Sequence, residues 1–244
     1  MVRPRRAAGA PAGELTHMFW QEEKHDDSYV VPDNVVDLVY QIDCRTLPVD
    51  HAWALSQAVR AVLPWLGEEP GAGVHPIHVA ESGNGWMRPE NPGDLLHLSR
   101  RTKLALRIPR ERVGAAQELA GRKLDIAGHA LTVGKASLRP LSAITTIFSR
   151  YVVSTDGLDE TGFLQAVLSE LKTLGVQPKK MLCGIEKVIA TPERPVHTRS
   201  LMLASLTQQE SVLLQQHGLG RLRLLGCGLF IPHKDIKEVG QPLE

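Results

Sequence analysis

Long apolar runs and paired cysteines are both missing from this sequence. None of its 244 residues falls in a run that approaches the ~18 consecutive apolar residues of a membrane span. Basic residues open the chain, but the apolar core of a secretory signal does not follow them. The three cysteines, Cys44, Cys183 and Cys227, are odd in number and widely spaced, which is typical of reduced thiols and not of a disulfide framework. We therefore expect a cytoplasmic protein without a membrane anchor.

Aromatic residues are also few, and neither positive nor negative charge is in large excess. Four Phe, four Trp and three Tyr residues make up 5% of the chain, which disfavours binding of a nucleic acid through many stacked bases. The formal net charge is +1, so any basic surface for a polyanion must be local. The apolar fraction of 43% is ordinary for a globular protein, and the length allows one large domain or two small ones.

The first half of the chain has strand and helix periodicities in a definite order. Apolar residues alternate over 36–44, which predicts a strand, and an apolar stripe predicts a helix that Asp50 caps and that ends near Leu66. Further patterns predict strands at 74–80, 103–108, 124–126 and 130–133, a helix at 110–120 and a loop at 82–94. Strand, helix, strand, strand, helix, strand is the order of a ferredoxin-like domain.

The second half repeats this order. We predict strands at 144–154, 181–190, 197–206 and 224–231, and a helix stripe over 163–171 that Gly175 terminates. Thr207 and Glu210 fit a capping box that opens a last helix, which ends at Gly218. The sequence thus predicts an α+β protein of two tandem ferredoxin-like (βαββαβ) domains. We place them at 18–140 and 141–244, after a flexible basic arm at 1–17.

The segment from Gly218 to Phe230 is the most specific local pattern. It lacks the Gly-Lys-Ser/Thr of a P-loop, and it follows a helix and precedes a strand, which is the reverse of a dinucleotide-binding loop. Glycines let a backbone approach a ligand closely, and N–H groups beside Arg221 and Arg223 suit a phosphate chain. A glycine helix cap followed by a strand is the alternative, which the residues alone favour.

A ferredoxin-like tandem that ends in a helix, Gly218-Leu219-Gly220, basic residues and Gly226-Cys227-Gly228-Leu229-Phe230 resembles the repeat-associated (RAMP) CRISPR proteins. The segment Leu47-Pro48-Val49-Asp50-His51-Ala52 narrows the resemblance to CRISPR repeat endoribonucleases of the MYXAN-type subgroup, over residues 19–235. The resemblance implies cleavage of CRISPR precursor RNA inside each repeat, without metal or cofactor. The RNA partner is expected to be a hairpin.

His51 is the candidate catalytic residue. Metal-free cleavage uses a 2′-hydroxyl as nucleophile, a base to take its proton and an acid for the leaving 5′-oxygen, and imidazole suits either role. The i+4 neighbour of His51 is Leu55 on the apolar stripe, so the imidazole is expected at the rim of the sheet. The resembled family also has a histidine at the start of this helix. An ordinary helix-start histidine is the alternative, and the second catalytic group stays open among Ser149, Tyr151, Lys135 and Lys180.

Other histidine patterns give weaker hypotheses. His75 and His78 have a His-x-x-His spacing, but Pro76 disfavours a helix there, so we predict no metal site. The run from His197 to Ser200 departs from the His-x-Ser/Thr motif of cyclic phosphodiesterases, because Arg199 occupies the Ser/Thr position.

Basic side chains that could neutralise phosphate fall on predicted strands and on the glycine segment, with solvated surface charge as the alternative. The predicted RNA-binding residues are Arg100, Arg101, Lys103, Arg107, Lys179, Lys180, Arg199, Gly218, Gly220, Arg221, Arg223, Gly226 and Gly228. The sequence therefore predicts a metal-independent CRISPR RNA endoribonuclease. A catalytically silent repeat-binding subunit, working with other subunits of a CRISPR effector complex, is one alternative. A small-molecule enzyme with an apolar pocket on the same fold is another.

Overall fold

The described residues form two large antiparallel sheets that pack against helices, and a small third sheet of two strands. A computed structural model describes residues 29–79, 89, 91, 93–155 and 158–233, so the predicted arm at 1–17 and most of the loop at 82–94 lie outside the described residues. The first half contains β1 Val35–Asp43, β2 Thr46–Pro48, α1 Ala52–Val62, β3 Gly73–His75, β4 Leu95–His97, β5 Lys103–Pro109, α2 Val113–Ala116, β6 Lys123–Ile126 and β7 His129–Pro140. The second half contains β8 Ile147–Val153, α3 Glu160–Thr173, β9 Lys180–Ile189, β10 Val196–Ala204, α4 Gln208–His217 and β11 Phe230–Pro232.

Strand order identifies both sheets as ferredoxin-like. The first sheet runs β3-β5-β1-β7-β6 and the second β11-β8-β10-β9, with antiparallel neighbours throughout. In each sheet the second, third, first and fourth strands of the βαββαβ order lie side by side, and β6 extends the first sheet. The predicted α+β fold of two tandem ferredoxin-like units is confirmed.

Local sequence signals explain where several helices begin and end. Thr207 and Glu210 form the predicted capping box at α4. The Asp159 carboxylate caps α3 by accepting from the Gly162 N–H at 2.8 Å. Gly175, at φ +73°, ends the same helix, since glycine adopts a left-handed backbone without a steric penalty.

Other parts of the chain differ from the predictions. Asp50 does not cap α1: His51 occupies the cap position, and Asp50 Oδ2 instead accepts from the Ala190 N–H at 2.7 Å. The predicted strand at 224–231 is a 3-10 helix at Arg223–Leu225 followed by the short β11, because Gly226 at φ +83° and Gly228 at φ +67° are left-handed and interrupt an extended backbone.

Arg107, which was predicted to bind RNA, joins the two halves of the protein and is not exposed, and its contact with RNA stays untested. Its side chain is fully buried and makes a two-pronged ion pair with Asp37, at 2.8 and 3.1 Å. Its Nη1 donates to the carbonyls of Gln215 at 2.9 Å and Phe230 at 2.6 Å, in α4 and β11. Strand β5 is therefore buried on both faces, whereas alternation predicted one solvent face.

Candidate nucleic-acid interface

A groove of about 370 Å³ lies between α1 and the glycine segment. Trp53, Ser56 and Arg60 line one wall, and their spacing of three and then four residues places them on one face of α1. Residues 220–225 form the opposite wall. The floor consists of Leu66, Gly67, Glu69, Pro70 and Ala72.

The charges at this groove favour an anion. Arg60 and Arg221 are exposed on opposite walls, and neither forms an ion pair with the residues that the structure describes. The one carboxylate in the lining, Glu69, is already paired with Arg112, Nε to Oε2 at 2.9 Å. Two unpaired guanidiniums facing a common space can bind a phosphate with several N–H groups.

The four glycines of the segment have two different roles. Gly218, Gly226 and Gly228 have positive φ and are packed so closely that a Cβ would lie 2.2, 2.2 and 1.9 Å from Arg223, Pro76 and Leu219 respectively. These three hold the fold, as the alternative interpretation of the sequence has it, and their predicted contact with RNA remains untested.

Gly220 alone among these glycines faces open space. Its φ is +71°, and a Cβ there would have no atom within 4 Å. Its N–H donates to Glu170 Oε1 at 2.6 Å, so this donor is already used by a carboxylate from α3. The carboxylate occupies a position in which an RNA phosphate oxygen could accept the same N–H.

Arg223, which was predicted to bind phosphate, donates to protein carbonyls, and its contact with RNA stays untested. Arg223 is buried at 8% exposure, and its guanidinium donates to the carbonyls of Gly71, Ala72, Gln216 and His217. Burial lowers the pKa of Arg223 to about 10, which leaves the side chain charged at neutral pH. Like Arg107, it links the second half of the chain to the first.

His51 is buried, and both of its ring nitrogens are engaged. Nδ1 lies 2.8 Å from the Pro48 carbonyl oxygen, and the Ile77 N–H donates to Nε2 at 3.0 Å, with the residue 2% exposed. A carbonyl can only accept and a backbone N–H can only donate, so the proton must sit on Nδ1 of a neutral ring. The catalytic role of His51 stays a prediction. It requires at least one of these hydrogen bonds to open.

The predicted cations at the start of β5 are exposed and lie beside histidines that sequence reasoning missed. Arg100, Arg101 and Lys103 are exposed where β5 begins, opposite the end of β1. At the same end of this sheet, Thr46 Oγ1 lies 3.0 Å from His129 Nδ1, and His97 is the cross-strand partner of Thr46. No periodicity signals this juxtaposition, because β2 and β4 are three-residue strands.

The remaining predicted residues lie on the second sheet. Lys179 and Lys180 are exposed at the start of β9. Arg199 is half-buried on β10, where Nη1 donates to the Gly184 carbonyl at 3.3 Å. Ser149, one of the open candidates for a second catalytic group, is buried and donates to the Tyr151 carbonyl at 3.1 Å.

Within the described ranges, no three His, Cys, Asp or Glu side chains cluster closely enough to hold a metal ion. His75, which with His78 was considered for a metal site, lies with its Nε2 3.4 Å from Asp37 Oδ1. Cys44, Cys183 and Cys227 are free thiols. None of the helices in the described part of the chain has the length and apolar character needed to cross a bilayer.

Two ferredoxin-like sheets with a cationic groove between them define a class of proteins suited to a polyanionic chain. The family model described as Cas6 Crispr matches residues 36–235. The CRISPR-associated endonuclease Cas6 of Myxococcus xanthus is 32% identical over 197 residues, which cover 81% of each protein. This chain belongs to the Cas6 family of CRISPR-associated endonucleases, so the predicted family and class of enzyme are confirmed.

Solved structures support the fold. A Cas6-related protein from Pyrococcus furiosus has a TM-score of 0.52 at 14% identity, covering 84% of this chain and 99% of that one. A structure described as a RAMP protein binding different RNA substrates has a TM-score of 0.53 at 12% identity, covering 82% of this chain and 100% of that one. Both likenesses concern the fold alone.

Proposed function

We propose that this chain cleaves CRISPR precursor RNA within its repeats, in the cytoplasm and without a metal ion, to release guide RNAs. The observation that carries the proposal is the groove at Gly220 and Arg221, where a member of an endonuclease family presents two arginines, unpaired among the described residues, across a concave surface. A small-molecule enzyme on the same fold would not explain why the chain belongs to a family of endonucleases.

The proposed reaction uses the RNA's own 2′-hydroxyl. This oxygen attacks the adjacent phosphorus as its proton passes to a base, and the P–O5′ bond breaks as an acid protonates the leaving oxygen. The products are a 2′,3′-cyclic phosphate and a 5′-hydroxyl. His51 is the proposed base or acid, after release of the Ile77 N–H from Nε2 or of the Pro48 carbonyl from Nδ1-H.

The proposed RNA contacts are mostly to phosphate. Arg100, Arg101 and Lys103 would contact the backbone at the first sheet, Lys179, Lys180 and Arg199 at the second, and Gly220 and Arg221 at the groove. Gly218, Gly226 and Gly228 would act by holding the segment in shape. Because backbone contacts fix register and orientation without reading sequence, recognition of a repeat hairpin would depend on its shape.

The function is tested with a labelled cognate repeat RNA. We expect cleavage in excess EDTA, a cyclic phosphate on the upstream product, and loss of cleavage when one 2′-deoxynucleotide stands just before the cut. Restoration of an EDTA-sensitive activity by added Mg²⁺ would reject the metal-free mechanism. Cleavage of the deoxy substrate would reject attack by the 2′-hydroxyl.

The occupied nitrogens of His51 support a second candidate function. In that case the chain holds the repeat without cleaving it and delivers it to other subunits of a CRISPR effector complex. Tight binding of the repeat without any product, even from the all-ribose substrate, distinguishes this function from the first.

A further inference from the structure

Trp53 presents an aromatic ring that neighbouring side chains hold in place, in a protein with few aromatic residues. Its side chain packs against the cluster of Ala52, Ile189, Leu225 and Cys227, which joins α1 to the second sheet. The residue is only partly buried, and the remainder of its surface lines the groove. A ring fixed in this way loses little freedom when a flat ligand stacks on it.

The opposite wall presents an apolar side chain from a strained backbone. Leu222 adopts φ +66°, a left-handed conformation that costs a branched residue free energy, and it remains 38% exposed on the groove. Gly220 at φ +71° precedes it. The two left-handed residues bend the segment so that both Arg221 and Leu222 line the groove beside Trp53.

The size and charge of this space select its ligand. A volume of about 370 Å³ is that of a small-molecule site and cannot admit a duplex. Apolar surfaces from Trp53 and Leu222 suit a planar base, and the free guanidiniums of Arg60 and Arg221 suit its phosphate. Unpaired nucleotides can be stacked on aromatic side chains in this way because their bases are not held in a helix.

We propose that the groove holds one unpaired nucleotide of the repeat RNA, with its base on Trp53 and its phosphate between Arg60 and Arg221. This inference rests on the proposed function and adds to it a position that is read through its base. Binding by this chain is then not limited to hairpin shape and backbone charge.

The test is a scan of repeat RNAs that each lack one base, with affinity for the full chain measured at fixed salt. We expect one position at which removal of the base weakens binding by about 5- to 100-fold, the range of base stacking on an aromatic side chain. Trp53→Leu should weaken binding of the intact repeat by a similar factor and show no further loss with that abasic RNA. Trp53→Phe should keep most of the affinity and of the base dependence.

The phosphate is tested through salt dependence. Arg60→Gln and Arg221→Gln should each reduce the slope of log affinity against log salt by about one or less. Arg110→Gln is the matched control, because Arg110 is an exposed arginine away from the groove that pairs with Asp33 at 3.3 Å, and it should leave the slope unchanged.

The proposal would be overturned if no base removal weakened binding. It would also be overturned if the affinity losses from Trp53→Leu and from base removal multiplied, because the two changes would then act independently. The scan on the unaltered protein tests the proposal even if Trp53→Leu fails to fold. If no base removal weakens binding but the RNA is cleaved normally, the nucleotide site is rejected and the proposed function is kept. If one base removal weakens binding but no RNA is cleaved, the nucleotide site is kept and the proposed function is rejected.

Discussion

At the residue scale, Arg221 and Arg223 show how two neighbouring arginines can have opposite environments. We expect Arg221→Ala to weaken RNA binding and lower the salt slope while leaving stability within about 0.5 kcal/mol of the unaltered protein. Arg223→Ala should lower the unfolding free energy by roughly 2–5 kcal/mol, because one buried and three partly buried hydrogen bonds to carbonyls are lost. Urea unfolding and binding at several salt concentrations measure both effects. Equal stability of the two variants would contradict the assigned roles.

His51 combines a structural role that the geometry shows with a catalytic role that is proposed. His51→Ala leaves the Ile77 N–H and the Pro48 carbonyl without their imidazole partner, so we expect a loss of roughly 2–4 kcal/mol in stability. If His51 also transfers a proton, single-turnover cleavage should fall by roughly 10²–10⁴. The rate must be measured at a temperature at which the variant is folded and saturated with RNA. An unchanged rate there leaves His51 with the structural role only.

His75 makes stability depend on pH in a known direction. Burial, reinforced by the Arg107 and Arg139 cations and opposed by Asp37, lowers the pKa of His75 below its usual 6.5. The unfolded chain therefore binds the proton more readily, and stability is lost as pH falls below about 6.5. Burial raises the pKa of Asp37, but the charges and hydrogen bonds of Arg107 and His75 together outweigh it and hold this pKa well below the ordinary value, so Asp37 stays ionised over this range.

We expect the unfolding free energy of the unaltered protein to fall from pH 7.5 to pH 5 more steeply than that of His75→Gln. The difference in slope can reach about 1.4 kcal/mol per pH unit for one proton. Denaturant titrations at four or five pH values measure it, and contributions from other titrating groups are shared by both proteins. Parallel pH dependences would show that His75 does not titrate differently on folding.

At the element scale, the glycine segment offers a matched pair of substitutions. Gly220→Ala meets no atom and costs only the strain of a left-handed alanine, about 1–2 kcal/mol. Gly228→Ala places a Cβ 1.9 Å from the Leu219 carbonyl oxygen, so the segment must move and the loss should be larger by several kcal/mol. Thermal unfolding compares them. A Gly228→Ala protein as stable as Gly220→Ala would show that this turn is not rigid.

Elements with strong local signals were predictable. The capping box of α4 and the glycine at the end of α3 are determined within a few residues of sequence, and the structure contains both. The strand predicted at 224–231 failed because apolar content alone does not reveal the left-handed backbone of Gly226 and Gly228. Strand β5 was assigned one solvent face because its arginine is polar, and only the acceptors on α4 and β11 show that this arginine is buried.

At the scale of the whole molecule, the groove could not be predicted from sequence. Trp53 and Arg60 lie on the first helix, while Gly220 and Arg221 lie about 160 residues later, and the fold alone brings them together. From the sequence alone, Arg60 is predicted to be a solvent-exposed helix residue. The glycine segment was recognisable as a candidate site because its residues are contiguous, although its second arginine turned out to be buried.

Each half of the protein contributes one buried arginine that donates to backbone carbonyls of the other half. Arg107 donates to the carbonyls of Gln215 and Phe230. Arg223 donates to those of Gly71 and Ala72. This reciprocity has a consequence for synthesis on the ribosome. Arg107 is translated together with its ion-pair partner Asp37, but long before the two carbonyls that accept from its Nη1. Until α4 and β11 have been made, the nascent first half therefore exposes a guanidinium that is only partly bonded, on a face of β5 that the finished protein buries.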